Sequence, residues 1–231
     1  SDKGYYVHTT REEVKGFEKS ITFEEEHSHA TSHRVYMKND KILKSNSPVV
    51  LIDDEITTGN TLLNIIEALH SKYPRKRYTV LTILDWRDEG SIKAFKSLEE
   101  ELDITIDVLS LIKGSIEVDD SEIKANPLTN IYTSRKENSP LLKEVDVSKL
   151  FKENIYENMD YLTCTGRFGI SSLENKRLID NIKELGRGLN EMIKGNKILC
   201  LGTEEFMFIP MAISGLLSMD VSYQSTTRSP I

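Results

Sequence analysis

Adjacent carboxylates and a cluster of hydroxyls meet within a few residues in Asp53-Asp54-Glu55-Ile56-Thr57-Thr58-Gly59-Asn60-Thr61. Carboxylates at the carboxyl end of a strand are placed to accept hydrogen bonds from a vicinal diol such as ribose O2 and O3. Backbone N–H groups from Thr58 to Thr61, opening a helix, would point at a phosphate, and the threonine hydroxyls add donors. Gly59 lets the backbone come close to such an anion. A buried strand ending in a solvated Asp-Asp turn would explain the carboxylates but not the hydroxyl-glycine turn after them. The segment therefore reads as a cradle for a ribose phosphate. It has neither the Gly-Lys-Ser/Thr of a nucleoside triphosphate loop nor the three spaced glycines of a dinucleotide fingerprint.

The run from Val49 to Thr61 resembles the phosphoribosyl pyrophosphate signature of the type I phosphoribosyltransferases: an apolar strand, two acidic residues, then Thr-Thr-Gly-x-Thr. Tyr5-Tyr6-Val7-His8-Thr9-Thr10-Arg11-Glu12, the stretch Phe23 to His33, and Leu84-Asp85-Trp86-Arg87 are similar to an orotate phosphoribosyltransferase-like branch found in bacterial tellurite-resistance and stress gene clusters. Leu201-Gly202-Thr203-Glu204-Glu205-Phe206 and Gln224 to Pro230 are similar to the domain, named for its Thr-Arg-Ser-Pro motif, that follows that transferase. The resemblance implies transfer of a 5-phosphoribosyl group from its pyrophosphate to a nitrogenous base, or the reverse, with Mg²⁺ as cofactor. It implies that Asp53 and Asp54 hold the ribose diol directly or through water on the metal. Glu55, Thr57, Thr58, Gly59, Asn60 and Thr61 would then bind the rest of the donor. It also implies a homodimer. The alternative, from another class, is a regulatory protein that senses phosphoribosyl pyrophosphate or a nucleotide and has lost transfer.

Glu24-Glu25-Glu26-His27-Ser28-His29 with His33 holds three of the five histidines. Three imidazoles could ligate a metal, and a solvated acidic loop is an equally simple account. The resemblance adds a third: a lid whose Glu25 and His27 cover the reacting centre and whose carboxylates stabilise positive charge in the transition state. Arg11 could pair with pyrophosphate or a substrate carboxylate through its planar fork, or with Glu12, Glu13 or Glu18. Trp86 could stack on a base or cover the core as a rim aromatic. Towards the C-terminus, Thr203, Glu204 and Glu205 form a polar turn after a strand, and Arg167, Thr227, Arg228 and Ser229 are anion-binding types. Together they make a candidate second site, with helix-capping carboxylates as the competing account.

Positioning these groups requires strands alternating with helices. Val49 to Ile52 suits a strand buried on both faces of a parallel sheet, and Leu62, Leu63, Ile65, Ile66 and Leu69 suit a helix packed on it. The spacing predicts helix 60–71, strand 78–85, helix 91–102 and strand 104–111, which is a doubly wound parallel α/β sheet. Strands are also expected at 5–8 and 34–37, with a long loop that includes some ordered pieces at 9–33 and a polar connection at 38–46. A polar stretch at 119–140 suggests a cut near 140, giving a transferase core at 1–140 and a smaller α/β domain at 141–231. In the latter the pattern predicts helix 173–193, strand 197–201, helix 206–219 and strand 221–224. Tyr6-Val7-His8-Thr9-Thr10-Arg11 and Tyr223 to Arg228 share Tyr-x-x-Thr-Thr-Arg, too short an echo to establish duplication.

A net charge of −7 and a pI near 5.4 argue against a nucleic-acid or membrane-surface protein, which needs a basic face. Two cysteines, Cys164 and Cys200, cannot build a disulfide framework, which points to a reducing cytoplasm. The chain opens at Ser1 without an initiator methionine and reaches its signature after 48 residues, so part of the sheet is expected to lie before it, and a continuation after Ile231 is also expected.

Overall fold

The computed structural model describes residues 4–24, 32–115, 142–147, 149–151, 161–203 and 206–226. They belong to two compact units, one of Ser1–Ser47, Asn60–Arg75 and Val147–Ile231, the other of Pro48–Gly59 and Lys76–Asp146. The cut expected near residue 140 falls in a stretch outside the described residues.

The smaller unit carries the acidic strand. Its strands β4 (Val49–Ile56), β5 (Arg77–Asp85) and β6 (Thr105–Lys113) form a parallel sheet in the order β4-β5-β6; β1 to β3 belong to the other unit. Tyr78 and Val80 are fully buried, and Thr82 and Ile106 nearly so, on the face they share with Asp53 by register. The expectation of burial on both faces is corrected here. Val50, Ile52, Leu81, Ile83, Leu109 and Leu111 fall on the opposite face, and their exposure runs from 37% at Leu81 to 83% at Leu111. The apolar run reflects strand propensity on both faces, while among the described residues only one face is covered. Helix α3 (Glu89–Leu102) starts on an Asp88 cap that accepts from the Ser91 N–H and buries Phe95 and Leu98; Asp103 ends it in the left-handed conformation.

The larger unit begins with β1 (Tyr5–Tyr6), shorter than the strand expected at 5–8. The expected loop 9–33 contains a strand, β2 (Lys19–Glu24), which pairs antiparallel with β3 (Ser32–Tyr36). The cause is plain alternation: Ile21 and Phe23 point inward while Thr22 and Glu24 are exposed. A single helical turn, α1 (Lys41–Lys44), interrupts the polar connection, and buried Arg75 donates to the Leu43 and Ser45 carbonyls at its end. Helix α2 (Asn60–Lys72) buries Leu62, Leu63, Ile66 and Leu69 and lies along β2, where Asn64 Nδ2 donates to Glu24 O and Lys72 Nζ to Ser20 O.

The C-terminal part of the same unit runs through β7 (Ile170–Ser171), α4 (Ser172–Met192), β8 (Lys197–Gly202), α5 (Phe208–Ser214) and β9 (Asp220–Ser225). Helix α4 opens on a full capping box, with Ser171 Oγ accepting from Glu174 N and the Glu174 carboxylate accepting from Ser171 N. It buries Leu178, Ile182 and Leu185 with Phe151, Cys164, Ile170 and Ile209. Helix α5 is half the expected length. Pro210 is tolerated only in its first turn, and Gly215 caps its end. Strands β8 and β9 pair in parallel, whereas β1 pairs antiparallel with β7, so the two Tyr-x-x-Thr-Thr-Arg segments occupy different settings.

Candidate active site

Strand β4 carries Asp53, Asp54 and Glu55 toward its carboxyl end, and the pleat turns Asp53 and Asp54 to opposite faces. Asp53 Oδ1 accepts from its neighbour's backbone N–H at 3.1 Å. Asp53 lies beside Thr82, whose hydroxyl sits 3.0 Å from the Asp54 carbonyl and 3.1 Å from that of Leu84. Partial burial, with Asp54 and Glu55 crowding it, pushes the Asp53 carboxyl up to about 6.

After Ile56 the chain turns through Thr57, Thr58 and Gly59 and enters α2 at Asn60, with Thr61 next. Gly59 is buried with φ +80°, a conformation that side chains disfavour, and a Cβ there would come within 2.5 Å of Phe95 Cε2 and 3.2 Å of Ile56 Cγ2. The glycine is therefore required twice, by its dihedral angle and by the ring against it.

Behind the turn, the carboxyl end of β5 adds residues that the sequence reading did not assign to the site. Asp85 is 3% exposed and Arg87 8%, and they form a two-pronged pair, Nε to Oδ1 at 2.8 Å and a terminal nitrogen to Oδ2 at 2.9 Å. The guanidinium holds the Asp85 carboxyl below its usual range. It also lies 4.5 Å over the Phe95 ring. Trp86 donates its backbone N–H to Ile56 O at 2.8 Å. Its buried indole N–H has no acceptor among the described residues. The only sequence signal for this group was Leu84-Asp85-Trp86-Arg87; nothing local pointed to Phe95.

The remaining candidates fall in the larger unit or outside the described residues. Arg11 is exposed, and its Nε reaches His33 Nε2 at 3.2 Å. Arg167 is largely buried and pairs with Glu12 at 2.8 Å. The Thr203 carbonyl accepts from Phe206 N, and the parallel register sets Gly202 opposite Ser225, so the ends of β8 and β9 lie side by side. Glu25, His27, Glu204, Glu205, Thr227, Arg228 and Ser229 lie outside the described residues, as does most of the proposed lid. Among the described residues no cluster of three or more His, Cys, Asp or Glu side chains has the geometry of a metal site.

An acidic parallel strand followed by a hydroxyl-glycine turn and a helix defines a phosphoribosyl-binding class of α/β protein, and comparison with known families agrees. Residues 1–115 match the phosphoribosyl transferase family, and residues 164–231 match the TRSP domain that stands C-terminal to it. The chain belongs to that family, in the form carrying both regions. No curated protein and no solved structure matches it. Among the described residues no helix is long and apolar enough to cross a membrane.

Proposed function

We propose that the protein is a Mg²⁺-dependent phosphoribosyltransferase that moves 5-phosphoribosyl from phosphoribosyl pyrophosphate to a nitrogenous base, or runs the reverse. The observation that carries this reading is the crowded, half-buried carboxylate of Asp53 immediately before the Thr57–Gly59 turn. Asp53 and Asp54 accept from the ribose hydroxyls, and the turn's N–H groups and hydroxyls hold the 5-phosphate. A base nitrogen donates its electron pair to ribose C1 as the C1–oxygen bond breaks and pyrophosphate leaves with that bond's pair. Catalysis is mainly positional, because the developing positive charge on the ribose needs aligned partners more than a strong acid.

The donor set suits Mg²⁺, a hard cation that takes one or two carboxylates and keeps several waters. Asp53 and Asp54, which leave opposite faces at the end of the strand, would hold it through water, and it would supply neutralisation of the departing pyrophosphate. Glu25 and His27 belong to the lid in this reading, and Arg11 to the pyrophosphate side. A cytoplasmic homodimer acting in nucleotide-like metabolism linked to stress or tellurite resistance completes the proposal.

The test is calorimetry on the full chain with phosphoribosyl pyrophosphate and Mg²⁺. Replacing Asp53 and Asp54 together by Asn should weaken donor binding at least about tenfold, or roughly 1.4 kcal/mol. Unchanged affinity removes the cradle. Wild-type binding with no turnover across purine and pyrimidine bases favours the sensing protein instead.

A further inference from the structure

We propose that Phe95 and Arg87 are positioning residues that preset the phosphate-binding turn, with Asp85 as their anchor. The proposal rests on the transferase reading of that turn. Gly59 lies directly on the Phe95 ring, so the ring is the floor that fixes how far the turn can sink. The ring is in turn covered by the Arg87 guanidinium at 4.5 Å. The guanidinium cannot swing away, because both carboxylate oxygens of the buried Asp85 hold it, and Asp85 also accepts from the Arg87 backbone N–H at 3.2 Å.

The same short segment fixes the other side of the turn. Trp86 N donates to Ile56 O, the last carbonyl of β4, while Gly114 N donates to Asp85 O from the end of β6. Lys113 Nζ adds a weaker attraction 3.9 Å from Asp85. The carboxyl ends of all three parallel strands thus converge on one brace, the backbone held through Trp86 and Ile56 and the glycine through Arg87 and Phe95. Such rigidity matters for a phosphate cradle. Its N–H groups act only if they already point at the anion, and an error of about 1 Å costs on the order of a hundredfold in rate. A core aromatic with only a packing role would not need a guanidinium, itself pinned by a carboxylate, on its outer face.

Phe95→Leu keeps an apolar filler but removes the flat floor and the face on which Arg87 stacks. Leu98→Ala is the matched control, since Leu98 is buried on the same helix. Two readouts are needed: calorimetry with phosphoribosyl pyrophosphate and Mg²⁺, and hydrogen exchange at residues 57–59. The expected result is donor affinity about tenfold weaker in Phe95→Leu and faster exchange at 57–59, with neither change in Leu98→Ala at a similar loss of melting temperature. Equal loss of affinity in both variants overturns the positioning role and leaves only packing. Unaltered exchange at 57–59 in Phe95→Leu overturns the brace, whatever the wild type binds. A wild type without donor affinity overturns the transferase reading instead, which the exchange result does not address. Should Phe95→Leu fail to fold, Arg87→Lys serves in its place, because an ammonium keeps the charge opposite Asp85 but cannot stack or bind it with two prongs.

Discussion

In the proposed donor cradle, Asp53 is the residue at which stability and function would pull in opposite directions. Its carboxyl rises from the 3.8 of a free aspartate to about 6, chiefly because burial disfavours the charged form. Between those two values the folded state holds more protons than the unfolded state, so stability falls as pH rises through that window and stays reduced above it. Asp53→Asn removes this cost. At pH 7 the variant should unfold at a higher temperature, by the equivalent of about 1 kcal/mol once solvent screening of a part-exposed group is allowed for, while losing donor affinity. Thermal unfolding at pH 7 and pH 4.5 checks the sign, because the gain should shrink at the lower pH. Donor binding by the wild type should weaken as pH drops through about 6, where the carboxylate takes up a proton. A variant no more stable than wild type at pH 7 would mean that Asp53 is better solvated than its surroundings suggest.

At the scale of elements, β4, the turn after it and α3 could be read from the chain because their signals are local: an apolar run, a hydroxyl-glycine turn, and for α3 a helical pattern over 91–102. Strand β2 is one of the ordered pieces expected within the loop 9–33, but its type and bounds were not read, because the alternation of Ile21 and Phe23 with exposed neighbours is short and polar segments flank it. Of the brace behind the turn only the Leu84-Asp85-Trp86-Arg87 segment stood out in the sequence; the Phe95 contact was not legible, since Gly59 and Phe95 meet only once the sheet has formed. Helix α4 offers a clean test of a local signal. Glu174 closes the capping box and also accepts from Lys38 Nζ at 2.8 Å. Ser171→Ala removes the acceptor for the Glu174 N–H and should cost about 1 kcal/mol in chemical denaturation. A loss below a few tenths would show that the Lys38 pair alone holds the helix start.

For the molecule as a whole, the two family regions are not two separate bodies of structure. The larger unit takes residues from both, and the turn Gly166-Arg167-Phe168 is where they join. Read as sequence, Arg167 between glycines suggested an anion site; in the fold the turn is a plug. Gly166 has no room for a Cβ against Tyr6 and His8, and its carbonyl accepts from His8 N at 3.0 Å. Phe168 is 1% exposed, in a cluster with Val14, Tyr36, Phe17 and Tyr161, and its carbonyl accepts from Lys38 N. Arg167 pairs with Glu12, and Ser172 N donates to Gly4 O. Phe168→Ala, a substitution in the TRSP region, should therefore unfold part of the transferase region. Loss of a buried phenyl costs about 3–5 kcal/mol, a large share of the roughly 5–15 kcal/mol that holds a domain. Hydrogen exchange on the full chain should show protection falling across Val14 and β3 as well as in α4. If α4 alone loses protection while Val14 and Tyr36 keep theirs, the TRSP region folds independently and the plug is only a surface contact. Loss on both sides would mean that the TRSP region completes the core of the transferase's N-terminal segment. It would also explain why this family carries the two regions in one chain.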